Sequence, residues 1–494
     1  MTMERSDRNE QWREELRAMY SAKQRTVIPR VKMPELPMPY RVTVDDEVRQ
    51  GLSVEQAVLE ARRCLDCPDP GCVKGCPVHN DIPGFIKNIE RREFASALQV
   101  LRRTTVLPAV CGRVCPQEKQ CEGNCTYTKM HKPPIAIGNL ERFVADNERL
   151  NHPEAQAEKL PISPLSLKIA VVGSGPSGLA FAGDMARRGF KVTVFEAMNW
   201  FGGVLKSGIP RFCLPKYVVT YEIERLKELG VEMVANCHVG TDVTYAQLLE
   251  QGYKGIYVAT GAGKPRLMNI PGEDLPQVLS AQDYLACVTQ SYCPAIHVDI
   301  ENLKGKSVAV IGGGNTAMDA VRAAVRGGAE RVMIVYRRGE DEMPARADEI
   351  RHAREEGTDF LCLRNPVEYV ADSHGNLCAM RLQVMELGEP DCSGRRKPQP
   401  VEGLLEEVPV DLVIVAIGYL PNPPLTLPDE LDMSRHGRIL VDEESMKSSA
   451  PAIYAGGDIV RGPATVILAM GDGRRAAQSM TDAFQRMIEG TSLS

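Results

Sequence analysis

Eight cysteines fall between Cys64 and Cys125 of this 494-residue chain, in two runs spaced like metal ligands rather than core residues. Cys64, Cys67, Cys72 and Cys76 form CxxCxxxxCxxxCP; Cys111, Cys115, Cys121 and Cys125 form CxxxCPxxxxCxxxC. Thiolates hold soft metals, and a reducing compartment keeps clustered thiols available for them. Prolines follow Cys76 and Cys115, as in cluster-binding runs whose last cysteine can serve a second cluster. Eight thiolates can hold two 4Fe-4S clusters. Zinc is the rival, because four-cysteine sites suit it equally. Zinc does no redox work, however, and the cysteines precede a module built to move electrons, so iron and sulfur are expected.

That module carries two glycine-rich turns. Gly173, Gly175 and Gly178 follow the apolar run IAVV and open a helical pattern, the context in which GxGxxG binds a dinucleotide. The glycines serve a tight turn, close backbone approach to a pyrophosphate, and helix packing on the strand. The helix N-terminus adds free N–H groups and partial positive charge. Glu196 ends the next strand, KVTVFE, eighteen residues after Gly178, where a carboxylate can take ribose hydroxyls. The competing reading of these glycines is a sharp turn and nothing more. Near the C-terminus, IYAGGDIVRG ends an apolar strand at Asp458. This resembles the second FAD motif of flavoproteins with two dinucleotide-binding domains, and YVATGAG (257–263) and IVAIGYLPN (414–422) resemble their crossover strands. FAD is therefore expected at the first turn. Gly312, Gly314 and Ala317 repeat the fingerprint, but the strand that follows, VMIVY, ends at Arg337 and Arg338 instead of an acid. Guanidinium groups suit a 2'-phosphate, so NADPH is expected at the second turn, against the alternative of a solvated basic strand end.

The elements that must position these residues follow from pattern changes along the chain. At roughly 150 residues per domain, 494 residues imply about three domains, and 43% apolar content is ample for buried cores. The expected class is α/β: two Rossmann-like dinucleotide-binding domains preceded by an α-helical domain with two 4Fe-4S clusters. Residues 1–165 form the helical iron-sulfur domain, 166–300 the first part of the FAD domain, 301–420 the NADPH domain and 421–494 the second part of the FAD domain. The polar stretch LGEPDCSGRRKPQPVEG (387–403) reads as a surface excursion and RRGEDEMPARADEIRHAREEG as mostly solvated helix. The seven later cysteines contain no CxxC, which argues against thioredoxin reductase-like dithiol chemistry, and they read as ordinary buried residues. A net charge of -6 argues against a nucleic-acid surface. The charged N-terminus and the absence of an apolar run of about 18 residues predict a cytoplasmic protein with no membrane contact.

The segments CLDCPDPGCVKGCPVHNDIPGFI, LPAVCGRVCPQEKQCEGNC, IAIGNLERF, AVVGSGPSGLA, GIPRF, IGGGNTAMDAVR, YRRGEDEMPAR and YAGGDIVRG resemble the glutamate synthase small-subunit family from about residue 50 onward. The resemblance implies a flavin switch in which NADPH exchanges hydride with FAD and FAD exchanges electrons with two 4Fe-4S clusters. It also implies crossed ligation: Cys64, Cys67, Cys72 and Cys125 for one cluster, Cys76, Cys115 and Cys121 for the other, with Glu141 of IAIGNLERF as fourth ligand. The spacing by itself selects Cys111 for that place, and both remain open here. Gly208, Ile209 and Pro210 resemble the stretch beside the flavin ring. Within the family, VKGCPVHNDIPGFI and GPATVILAMGDGRRAA look closer to the large subunit of NADH-dependent ferredoxin:NADP oxidoreductase, an electron-bifurcating complex. The implied partner is then a small FAD and 2Fe-2S flavoprotein, with ferredoxin as a further redox partner. The alternative is a glutamate synthase large subunit, and a non-catalytic zinc-bound scaffold is the reading that intact glycine patterns oppose. The chain has no N-terminal cysteine nucleophile and no room for an FMN barrel, so it does not make glutamate alone.

Overall fold

Continuous apolar strands need cover on both faces, and the chain supplies it twice. In a computed structural model that describes residues 6–152, 167–289, 293, 298–300, 302–391, 394–421, 423, 428 and 430–491, two parallel five-stranded sheets are each flanked by helices. The first sheet contains β1 (Lys168–Val172), β2 (Lys191–Phe195), β3 (Glu232–Val234), β4 (Tyr253–Val258) and β15 (Ile453–Ala455), in the order β15-β4-β1-β2-β3. A two-stranded ribbon, β5 (Lys264–Pro265) with β14 (Tyr419–Leu420), ties together the two passages between sheets. The second sheet contains β6 (Val278–Ser280), β7 (Ser307–Ile311), β8 (Arg331–Tyr336), β9 (Asp359–Cys362) and β13 (Leu412–Val415), in the order β6-β13-β7-β8-β9. The doubly wound class is as expected.

One of the expected boundaries moves. β6 pairs with β13, so the second sheet already claims Val278–Ser280 and the division at 300/301 falls too late; hydrogen bonding to the β13 edge outweighs sequence adjacency. The 165/166 division lies outside the described residues. Within 387–403, residues 387–390 and 396–403 are strand rather than loop: β10 (Arg364–Ala371), β11 (Leu377–Pro390) and β12 (Arg396–Pro409) form an antiparallel sheet standing on the second domain. Register shifts around Gln383/Met385 and Leu387/Pro390 accommodate its glycines and prolines, which is why the alternation was hard to see.

Among described residues 6–152 there is no strand beyond an isolated bridge at Glu35 and Arg49. Helix Val54–Arg62 begins at a capping box of Ser53 and Gln56 and stops just short of Cys64. The Asp81 carboxylate caps helix Ile82–Glu90 by accepting the Gly84 N–H at 3.1 Å. The apolar core of this domain is continuous with one face of the first sheet. The preceding strap reaches the second domain: the Val48 N–H bonds Phe212 O at 3.0 Å, and Arg326 donates to the carbonyls of Arg41 and Val44 at 2.7 and 3.2 Å. Helix Ala347–Glu355, expected to be mostly solvated, buries Glu349, His352 and Ala353 against this strap. Arg322 lies fully buried beneath it, held by Glu349 and Glu356 and stacked on the Phe212 ring. Among the described residues no helix is long and apolar enough to cross a membrane.

The C-terminal helix Val466–Thr491 packs along helix Pro176–Arg187, and the approach depends on small residues. A Cβ added at Gly473 would lie 2.4 Å from Ser177 O and 2.9 Å from Phe181 N, both immovable backbone atoms. Gly473→Ala is therefore expected to destabilise the protein by about 1 to 3 kcal/mol, the usual cost of overpacking, read as a lower midpoint in chemical unfolding of the holoprotein.

Candidate functional site

The first glycine turn opens onto a cavity of about 650 Å³. Gly173 has φ +100°, and its missing Cβ leaves room for Ala259 O, where a Cβ would sit 2.5 Å away. Gly178 lies under Gly173 O in the same manner. Gly175, the N-cap of helix Pro176–Arg187, has nothing within 4 Å of a would-be Cβ, so the backbone there is open for a phosphate. Glu196 stands on the wall: Oε2 accepts from Ser174 N and Oγ at 3.0 and 2.5 Å, and Oε1 from Met198 N at 3.0 Å. A carboxylate offers about four acceptor sites, so capacity remains for a ribose hydroxyl. Asp458 lines the opposite wall, and burial, with Ala464 N–H opposing and Asp472 adding, pushes it up to about 6. The fit to FAD is good.

Asp472 was not singled out from sequence. It is fully buried and accepts Gly457 N–H at 3.0 Å and two Arg461 donors at 2.6 Å, which fixes the turn that carries Asp458. An aspartate inside an apolar helical run was the available signal. Of the stretch expected beside the flavin ring, Gly208 lies on the cavity wall with Ser207; Ile209 and Pro210 lie behind it, the Ile209 carbonyl taken by Lys216 Nζ.

The second turn repeats the first. A Cβ on Gly312, φ +144°, would sit 2.4 Å from Ala416 O; Gly314 is the open N-cap of helix Asn315–Arg326; Ala317 is fully buried. Thr316, on that helix, also lines the FAD cavity, so the two nucleotide sites meet there. Arg337 is exposed at the end of β8, whereas Arg338 is buried and paired with Asp391 at 3.0 Å.

Cys64, Cys67, Cys72 and Cys125 line one apolar pocket with Ile82 and Ile86, the crossed grouping rather than the sequential one. Burial pushes the Cys64 thiol up to about 12 and likewise raises Cys72 and Cys125. Cys121 has Cys76, Cys115 and Glu141 as electrostatic neighbours, and Cys76 and Cys115 each have Glu141 and Cys111. Glu141 is buried, its Oε1 has no hydrogen-bond partner, and burial followed by the charge of Glu222 lifts it to about 8. Cys111 also touches Cys115, but its Sγ has partners elsewhere, Met470 Sδ at 3.5 Å and Thr105 Oγ1 at 3.9 Å. Tetrahedral zinc, at about 2.3 Å per bond, would draw sulfurs to within about 3.8 Å of one another. Among the described residues only Cys213, Asp319 and Glu349 bring three ligand atoms within 4.8 Å of one another. That trio is itself filled by Arg322, whose Nη1 lies 3.3 Å from Cys213 Sγ.

The later cysteines depart from expectation. Cys287 and Cys293 form a disulfide with their Cα atoms 4.3 Å apart, and Cys378 is exposed on the outer antiparallel sheet. Cys392 lies outside the described residues.

The chain is similar to known iron-sulfur and pyridine-nucleotide oxidoreductases. The family described as "Dihydroprymidine dehydrogenase domain II, 4Fe-4S cluster" matches residues 41–152, and "Pyridine nucleotide-disulphide oxidoreductase" matches 167–473. The glutamate synthase [NADPH] small chain of Halomonas elongata is 37% identical over 445 residues, covering 88% of this chain and 92% of the relative. The NADP(+)-dependent formate dehydrogenase subunit beta of Moorella thermoacetica is 39% identical over 85% of this chain and 60% of its own length. A solved structure, Mycobacterium tuberculosis FprA in complex with NADPH, shares the fold with a TM-score of 0.57 at 23% identity, covering 66% of this chain and 86% of that one.

The unpartnered carboxylate gives a direct test of the second cysteine set. Glu141→Ala is expected to change the EPR signal or potential of one cluster while Cys111→Ser leaves both clusters nearly intact; the reverse pattern would return the fourth position to Cys111.

Proposed function

The chain belongs to the glutamate synthase small-chain family of oxidoreductases, and on that premise we propose that it takes electrons from NADPH onto FAD and delivers them through two 4Fe-4S clusters to a partner subunit. The observation that carries this is the C-terminal helix. Val466 and Ala469 line the FAD cavity, while the next residues, Met470 and Gly471, meet Cys111 Sγ and the Pro77 carbonyl. The flavin cavity and the neighbourhood of the second cysteine set thus both border the first turns of one helix. FAD, when bound, exchanges hydride with a nicotinamide and single electrons with the clusters.

The chain's own residues position and insulate. Gly175 and Gly314 leave backbone N–H groups open to phosphates, Glu196 and Asp458 offer carboxylates at the two ends of the cavity, and Thr316 joins the two nucleotide sites. Cys76, Cys115, Cys121 and Glu141 hold the inner cluster. Cys64, Cys67, Cys72 and Cys125 hold the outer one, where Cys67 and Cys72 are partly exposed and a partner can dock. No side-chain acid or nucleophile is required.

The partner is a second redox subunit. We favour a small FAD and 2Fe-2S flavoprotein, in a complex that bifurcates electrons among NADPH, NADH and ferredoxin. Support comes from the two segments that look closest to that branch, which touch each other at Pro77 and Gly471. The second reading, the small subunit of a glutamate synthase, is favoured by the 92% coverage of the Halomonas elongata relative.

Anaerobically purified protein is expected to hold about one FAD and about eight iron atoms, with stoichiometric zinc in place of iron as the contrary result. Cys72→Ser should lose about four iron atoms and still let NADPH reduce the flavin, yet fail to pass electrons to a partner. Wild-type delivery rates from that variant would defeat the proposed route. Mixing with a small FAD and 2Fe-2S protein should create NADH-linked activity, whereas glutamate formation on mixing with a large amidotransferase subunit would select the second reading.

A further inference from the structure

Of the two arginines that end β8, one is committed to the fold. Arg338 is buried, its Nη2 3.0 Å from Asp391 Oδ2 and its Nε 2.8 Å from the Arg396 carbonyl. Both partners belong to the end of the β11–β12 hairpin, where Asp391 N–H donates to Arg395 O at 2.7 Å and Arg395 N–H to Asp391 Oδ1 at 3.3 Å. The base of the approach is fixed as well: Leu363 N–H bonds Arg338 O at 3.1 Å, and Met385 N–H of β11 bonds Leu363 O at 2.9 Å. The hairpin therefore returns to the carboxyl end of β8, the side of a doubly wound sheet on which ligands bind.

Arg337 is in a different position. It is exposed, and among the described residues no carboxylate pairs with it. Partial burial, then the charges of Arg338, Arg395 and Arg266, hold its pKa below the ordinary arginine value. Arg266 arrives from the β13 side, its N–H on Gly418 O at 3.1 Å. Guanidinium groups from three separate segments thus gather at the ligand-binding edge of the sheet, an arrangement suited to a phosphate.

We propose that the hairpin end is a specificity clamp of the nicotinamide-nucleotide site, in which Arg395 joins Arg337 on the 2'-phosphate and Arg338 acts as a positioning residue that fixes the clamp through Asp391. This rests on the assignment of the Gly312–Ala317 turn to NADPH. A 2'-phosphate presents three acceptor oxygens to two guanidinium forks, and NADH presents none.

The test uses the holoprotein and two probes, 2',5'-ADP and 5'-AMP, with dissociation constants measured by calorimetry. Arg395→Ala and Arg337→Ala should each weaken 2',5'-ADP binding by roughly 10- to 150-fold and leave 5'-AMP unchanged, with Arg395→Lys intermediate. Arg338→Ala and Asp391→Ala should each weaken 2',5'-ADP, and the double variant no more than the worse single one, because both act by holding the clamp. Full additivity of those two would make Arg338 a direct phosphate ligand and overturn its positioning role. Wild-type affinity for 2',5'-ADP in Arg395→Ala, with Arg337→Ala weakened, would overturn the clamp alone. A wild-type protein that does not distinguish the two probes would overturn both the clamp and the NADPH assignment.

Discussion

Everything in this molecule depends on how closely the C-terminal helix can approach its neighbours. Gly473 lets it touch the backbone of the helix that opens at the first nucleotide turn, and Gly471 brings it to 3.2 Å, measured from a would-be Cβ, of the carbonyl beside Cys76. The first turns of one helix thereby border both the flavin cavity and the neighbourhood of a cysteine set. Asp472, buried between these two glycines, ties the same helix to the turn that carries Asp458.

A second constraint is electrostatic. The helical domain is fastened to the second sheet domain by guanidinium groups: Arg326 on the Arg41 and Val44 carbonyls, Arg41 on Glu355 and Glu356, and Arg346 on Arg113 O and Gln117 Oε1. Each buried charge is met by a carboxylate or carbonyl, as low dielectric demands. The arrangement ties the nicotinamide domain to the strap and the cysteine domain, so all three cofactor regions share one frame. Glu349 shows the balance: burial acts to raise its pKa, yet Arg322 and then Arg346, His352 and Arg49 bring it down to about 2.

Much of the site was legible in the residues themselves. Glycine turns are local: the requirement for φ near +100° at Gly173, or for an open N-cap at Gly175 and Gly314, is written in a few consecutive residues, and all appear in place. The cysteine spacing likewise announced metal, since no apolar core needs eight clustered thiols. What spacing could not decide was which thiols face one another. Cys125 joins Cys64, Cys67 and Cys72 because the chain doubles back between them, and only the family resemblance anticipated that grouping.

The sequence by itself determined the two nucleotide turns, the parallel sheets around them and the presence of metal ligands, because each is a short-range pattern of backbone geometry or donor type. Tertiary structure decided what depends on distant segments meeting. It moved Val278–Ser280 into the second sheet, turned a polar stretch into paired strands, joined Cys287 to Cys293 and left a Glu141 oxygen without a partner beside three thiols. It also separated Arg337 from Arg338, adjacent in the chain yet one exposed and one bound to Asp391. The physical reason is the same throughout: successive strand residues face opposite ways, and only the packed fold determines which neighbour each of them meets.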